Sequence, residues 1–301
     1  MIKINCHSAF AGLPALCLAV FLSGCSRIPL LDPKGPVGDS ELHDIEVAFA
    51  LMLIVVIPVI FMALWFPRKF RASDPNADYD PKWSDSVKID LVTWLIPAAI
   101  VLALGALSWK ETHRLDPFKP IDPSVSPINI EAVSLDWKWL FIYPGQNIAA
   151  VNQLVLPANV PVSLRITSDT VMTSFFIPQL GSQIYAMAGM QTRLHLLADT
   201  PGVYFGQNQQ YSGRGYSDMN FKVSVTSLNQ FKAWVQKVKQ SPDRLDLARF
   251  KEISKPSVDY PVASFSWVER GLFANIVDKS RNDRGNLANA PRDDAMTSGT
   301  H

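Results

Sequence analysis

The sequence predicts a two-helix membrane hairpin followed by an exported all-β sandwich or barrel that ends in helices. Three observations carry this. Val47 to Phe66 and Leu91 to Trp109 are runs of 20 and 19 residues without a charge. After Lys110 the chain breaks into short strand-like runs punctuated by turn residues. From Ser227 the apolar spacing changes to that of a helix.

The amino terminus reads as a processing signal. Lys3 opens a weakly basic region, Ala9 to Leu22 is apolar, and Leu22-Ser23-Gly24-Cys25 follows. That tetrapeptide resembles the bacterial lipobox, which implies removal of residues 1–24 and lipidation of Cys25. The expected mature segment 25–110 then holds two spans, about 45–66 and 90–109, joined by a cytoplasmic loop over 67–88. At 1.5 Å per residue each span reaches about 30 Å, the thickness of a bilayer core. Pro58 and Pro97 are tolerated in membrane helices. The loop carries Arg68, Lys69, Arg71, Lys82 and Lys88, whereas Cys25 to Glu46 carries only Arg27 and Lys34. Lipidation of Cys25 on the outer side of the membrane implies that the loop is inside and both chain ends outside, and the charge asymmetry agrees. Trp65 and Trp109 sit where interfacial anchors belong.

Pro117, Pro120, Pro123 and Pro127 mark an extended connector. Strands are predicted at Ile128–Ser134, Trp137–Tyr143, Val162–Thr167, Phe175–Ile177, Arg193–Ala198 and Phe221–Thr226. Leu164 and Ile166 alternate with Arg165 and Thr167, and Phe221, Val223 and Val225 with Lys222 and Ser224, which suits half-buried antiparallel strands. Ser227 and Gln230 fit a capping box. Phe231, Trp234, Val235 and Val238 then share one helical face. Further helical pieces are expected around Asp243–Ser254 and Trp267–Asp278, giving a helical arm over 227–278. Lys279 to His301 has few large apolar residues and is expected to be disordered.

A net charge of +1 gives no support for nucleic-acid binding. The three cysteines, Cys6, Cys17 and Cys25, all lie in the first 25 residues, so no internal disulfide and no thiolate metal site is available downstream. His195 shares a strand face with Gln191 and Arg193 and reads as a solvated strand histidine.

Gly206 to Phe221 reads GQNQQYSGRGYSDMNF. It resembles the copper loop of subunit II of the haem–copper oxidases, Cys-x-Glu-x-Cys-x3-His-x2-Met. The spacing maps onto Asn208, Gln210, Ser212, Tyr216 and Met219, and the upstream histidine onto Thr173. Only the methionine remains. Bridging copper requires soft thiolate ligands, so these six positions are expected to hold no metal. The polar ones are expected to hydrogen-bond one another and the backbone instead. The copper-loop resemblance selects the cupredoxin fold over an immunoglobulin-like sandwich for residues 111–226.

The chain is similar almost end to end to subunit II of the cytochrome o ubiquinol oxidases. The match includes Leu31-Asp32-Pro33-Lys34-Gly35, Leu51 to Pro58, Asp136-Trp137-Lys138-Trp139 and Phe175 to Leu196. The resemblance implies a proton-pumping quinol:oxygen oxidoreductase of the bacterial cytoplasmic membrane. Subunits I, III and IV would be partners, with haems, the remaining copper and quinol chemistry in subunit I. This chain would be a non-catalytic, two-pass lipoprotein subunit with no cofactor of its own and no cytochrome c partner. The resemblance places Asp90 at the mouth of a proton-uptake channel; the alternative is a helix-end carboxylate. Trp137 matches a tryptophan that passes electrons towards subunit I in copper-bearing relatives. Without copper behind it, packing or an aromatic contact to subunit I is expected. A cytochrome c oxidase subunit is excluded by the missing cysteines. A cupredoxin-fold lipoprotein acting in oxidase assembly is the remaining alternative.

Overall fold

The computed structural model describes residues 28–71 and 85–288. Cys25, part of the expected cytoplasmic loop and the last part of the expected tail lie outside the described residues. The chain divides into two compact units, Ser40–Asp116 and a second formed by Met1–Asp39 with Pro117–His301.

Two long helices dominate the N-terminal part, α1 (Pro36–Lys69) and α2 (Val87–Arg114). Both exceed the expected spans because polar turns extend the apolar runs. Pro36 occupies the first helical position of α1, where its missing N–H costs nothing. Both are long and apolar enough to cross a membrane, and neither apolar stretch is covered by protein. Ile57 is 60% exposed and Leu102 74% exposed. A soluble core helix would bury these side chains. Such a continuous apolar surface requires lipid or other helices around it.

The second unit is a two-sheet sandwich. Its strands are β1 (Ile128–Leu135), β2 (Lys138–Tyr143), β3 (Ile148–Val151), β4 (Gln153–Pro157), β5 (Val162–Ser168) and β6 (Thr173–Ile177). They continue with β7 (Gly181–Ala186), β8 (Thr192–Leu196), β9 (Gly202–Gln207), β10 (Asn220–Thr226) and β11 (Ala263–Phe265). One sheet has the order β11-β3-β2-β1-β5-β8, the other β4-β10-β9-β6-β7. The expected all-antiparallel arrangement needs correction. β1 runs parallel to β5, and β10 parallel to β4. These pairs join strands distant in sequence, whose relative direction local alternation does not encode.

The space between the sheets is filled by aromatic rings. Trp139, Phe141, Phe175 and Phe221 pack with centroids 5.1 to 6.4 Å apart. Tyr143 is fully buried beside them. Its hydroxyl accepts from the Val155 N–H at 2.8 Å and donates to the Val155 carbonyl at 3.1 Å. Burial pushes its phenol well above the usual tyrosine range. α3 (Leu228–Lys239) closes one end. Ser227 and Gln230 form the expected reciprocal cap, and Phe231, Val235 and Val238 are buried.

The arm continues through α4 (Leu247–Ile253), β11 and α5 (Leu272–Ala288). It covers the outer face of the six-stranded sheet. Val133, Leu135, Leu140, Ile142, Ala149 and Val151 form a second core with Leu245, Phe250, Ile253, Phe265, Val268, Leu272, Phe273, Ile276 and Val277. The expected disorder from Lys279 needs correction as far as Ala288, since α5 runs to that residue. Ser280 is buried one turn beyond Ile276 and Val277, so the apolar stripe anchors a polar continuation.

The stretch before α1 is fastened to the sandwich. The Lys34 N–H donates to the Gln179 carbonyl at 2.7 Å, and the Asp199 N–H donates to the Lys34 carbonyl at 3.1 Å. Gly35 lies so close to this edge that a Cβ would stand 2.1 Å from the Leu197 carbonyl oxygen. No larger residue fits there without moving backbone.

Candidate functional site

The loop from Asn208 to Met219 joins β9 to β10 and faces the start of β6 and the β1–β2 turn. Asn208 is its centre and is buried. Its Oδ1 accepts from the backbone N–H of Ser174 at 2.8 Å and of Gln210 at 2.9 Å. Its Nδ2 donates to the Gln210 carbonyl at 2.8 Å and the Ser212 hydroxyl at 3.1 Å. The Met219 sulfur lies 3.5 Å from the same nitrogen. An asparagine amide offers two donors and one carbonyl oxygen. Every one of these is engaged, so the site is complete with protein groups alone.

The other mapped positions surround this amide. Met219 is fully buried, with its sulfur 3.9 Å from the Ser212 hydroxyl. Thr173 is buried and donates to the Ser134 hydroxyl at 2.7 Å. Its neighbour Ser174 accepts from the Gln209 N–H at 2.7 Å, tying the loop to β6. Gln210 takes part through its main chain. Tyr216 likewise takes part through its main chain. Its ring packs on Tyr211 with centroids 5.7 Å apart, and its N–H closes a turn onto the Gly213 carbonyl. Thus Asn208, Ser212 and Met219 meet directly, Thr173 borders them, and Tyr216 forms the outer wall.

This donor set is an amide, hydroxyls and one thioether. It does not fit a dinuclear copper centre, which needs thiolate and imidazole ligands. Among the described residues no group of three or more His, Cys, Asp or Glu stands together. His195 is buried rather than solvated, a correction to the sequence reading. The connector covers it: its N–H donates to the Pro117 carbonyl at 3.2 Å, and its Nδ1 lies 3.1 Å from the same oxygen.

Trp137 lies in the two-residue turn between β1 and β2, where Leu135 pairs with Lys138. Its φ is +64°, a left-handed conformation that a bulky residue rarely adopts. The indole Nε1 donates to the Ser212 carbonyl at 3.0 Å. The ring lies over Gly215, where a Cβ would meet it at 2.5 Å. The glycines of the loop therefore make room for this ring, which spacing alone did not reveal. Lys138, next along, is fully buried. Its Nζ donates to the carbonyls of Asp136 at 3.1 Å and Lys255 at 2.9 Å, and stands 5.3 Å from the Tyr260 ring centroid. Burial pushes its ammonium below the ordinary lysine value, while the Asp136 carboxylate pulls the other way. Sequence reading missed this residue, because a lysine in a strand reads as solvated. Asp90 is exposed in the first turn of α2, and its N–H donates to the Ser86 carbonyl at 2.9 Å.

Comparison with known proteins gives a consistent result. Residues 145–226 match the family model for the cytochrome c oxidase subunit II periplasmic domain. Residues 239–281 match the COX aromatic rich motif. The chain is 52% identical over 270 residues to the cytochrome bo(3) ubiquinol oxidase subunit 2 of Pseudomonas putida, covering 90% of this chain and 85% of that one. It is 48% identical to the protein of the same name from Pseudomonas aeruginosa, covering 99% and 91%. Against the ubiquinol oxidase subunit 2 of Acetobacter aceti it is 49% identical, covering 90% and 89%. Similarity of this extent, with the sandwich and the aromatic-rich arm both matched, shows that the chain belongs to the ubiquinol oxidase subunit 2 family of the haem–copper oxidases.

Proposed function

We propose that this chain serves a proton-pumping ubiquinol oxidase as a subunit without a redox centre, electrons entering from ubiquinol at subunit I. The filled loop carries this reading. An electron arriving from a soluble protein donor needs an acceptor in the exported domain. Asn208, Ser212 and Thr173 stand where thiolate and imidazole would be required, and their hydrogen bonding is internally satisfied. Entry then falls to the membrane part, where a lipid-soluble quinol has access. α1 and α2 offer uncovered apolar surface to membrane partners, proposed as subunits I, III and IV, and to lipid. Haems and the remaining copper are proposed in subunit I. Purified complex is expected to consume oxygen with a ubiquinol analogue and to stay inactive with reduced cytochrome c alone. Oxygen uptake from cytochrome c at a comparable rate overturns the reading.

Two finer assignments belong to it. Cys25 is proposed as the lipidated mature N-terminus in the bacterial inner membrane, with the large domain on the periplasmic side, on the strength of Leu22-Ser23-Gly24-Cys25 behind an apolar leader. Intact-mass analysis should show loss of residues 1–24 and an acyl adduct; a retained leader or a free thiol rejects it. Asp90 is proposed to assist proton uptake. It is exposed in the first turn of α2, where the helix dipole also favours a carboxylate. Asp90→Asn is expected to slow turnover by roughly two- to tenfold, less than loss of a catalytic acid–base group, with haem content and assembly intact. Wild-type turnover would leave it a helix-end carboxylate.

A further inference from the structure

The C-terminal arm holds the Trp137 turn directly at one end and, through Asp169 and Thr170, indirectly at the other. On one side, Lys138 reaches out of the turn and donates to the Lys255 carbonyl at 2.9 Å while lying over the Tyr260 ring. Asn152 reinforces this contact. Its Nδ2 donates to the Tyr260 carbonyl at 2.7 Å, and its Oδ1 accepts from the Trp139 N–H at 2.9 Å. On the other side, the Asp136 carboxylate accepts from the Thr170 hydroxyl at 2.6 Å. The adjacent Asp169 is held by α5: Lys279 Nζ lies 3.3 Å from its carboxylate, and Ser280 donates to its carbonyl at 3.4 Å. The Asp169 N–H donates in turn to the Ser134 carbonyl at 2.9 Å, at the end of β1.

Packing alone does not explain these contacts. The apolar face of the arm already fastens it to the sheet. A fully buried ammonium is costly, and a site needing only packing is better served by an apolar side chain. One use of such a group is to specify a single arrangement of the backbone. Here the backbone it specifies is an unfavourable one, a tryptophan with φ of +64°. Trp137 in turn donates to the Ser212 carbonyl, so the position of the turn reaches the loop around Asn208.

We infer that the C-terminal arm is the positioning element for Trp137: Lys138 and the Asp169–Lys279–Ser280 contacts clamp the two ends of its turn and thereby set the aromatic surface presented beside the Asn208 loop. The use of that surface as a contact to subunit I rests on the function proposed above; the clamp itself does not.

The test uses the purified oxidase complex carrying Lys138→Met, Lys279→Ala or both. Arg281→Ala, which removes an exposed pair with Asp278 on α5 beside Lys279, is the control. Hydrogen exchange is read in peptides covering 134–139 and 208–219, and retention of this subunit is read during detergent challenge. Lys279→Ala alters a largely exposed side chain and is expected to fold, so the inference is testable even if Lys138→Met assembles poorly. Exchange in 134–139 is expected to rise about threefold for Lys279→Ala and about tenfold or more for the double variant, with 208–219 following and the control unchanged. Unchanged exchange in 134–139 for Lys279→Ala and the assembled Lys138 variant overturns the inference, as does an equal rise in the control. If the turn loosens while the subunit stays bound as firmly as wild type, the clamp stands and the proposed contact of Trp137 with subunit I fails.

Discussion

Ending the chain after Lys239 is expected to prevent the exported domain from reaching its native state. The truncated chain keeps all ten strands of the sandwich proper and α3, yet loses everything that covers the outer face of the six-stranded sheet. Val133, Leu135, Leu140, Ile142 and Val151 are each no more than 3% exposed with the arm in place. Exposing an aliphatic side chain of this size costs about 1.5–3 kcal/mol, so five cost roughly 8–15 kcal/mol, as much as the whole stability of an ordinary domain. Losing β11 also frees the edge of β3, where Ala263, Ser264 and Phe265 pair with Val151, Ala150 and Ala149. An uncovered apolar edge strand promotes aggregation. The expected outcome is insoluble or rapidly degraded protein and no assembled oxidase, followed by solubility, circular dichroism and haem content of the membranes. A soluble truncated chain melting within a few degrees of wild type would show that the second core is dispensable.

The dependence on the arm explains what could and could not be read from the sequence. α1 and α2 were legible because twenty uncharged residues have few other uses. Six strands and the Ser227 cap were legible because strand-like runs bounded by turn residues, and capping, are local signals. β3 was missed: Ile148–Val151 is four residues long and two of them are alanine, too short and too weakly strand-forming a run to stand out. Its outer face is buried only because the arm lies over it. β11 is three residues long and exists as a strand through its pairing with β3. The polar end of α5 looked unable to fold, since its anchors, Asp169 and the sheet, lie far away in sequence. At the site, five positions were mapped by spacing against a known loop, and Thr173 by resemblance to the run that precedes it. The residues that complete them were not. Ser134, Ser174 and Trp137 come from other strands and turns, 34 to 75 residues from their partners. The unusual φ of Trp137 and the burial of Lys138 follow from tertiary contacts that no local pattern announces.

Asn208→Ala is expected to be the most damaging single change in the loop, although it removes only an amide. The substitution leaves the Ser174 and Gln210 N–H groups without their acceptor and the Gln210 carbonyl and Ser212 hydroxyl without their donor. A buried polar group left unsatisfied costs about 1–3 kcal/mol, and the loop's rim lets water rescue some of these, so the net loss is roughly 3–5 kcal/mol. For a unit of this size that is a fall of about 6–20 °C in melting temperature. Asn208→Asp retains both acceptor bonds while losing the donors, and is expected to fall between alanine and wild type. The contrast separates two origins of order in the loop. If the amide organises it, the alanine variant melts early and a metal chelator leaves the wild-type melting temperature unchanged. If a bound metal organises it, the chelator lowers that temperature and the alanine change matters little. An alanine variant melting within about 1 °C of wild type would show that Asn208 occupies the centre of the loop without holding it together.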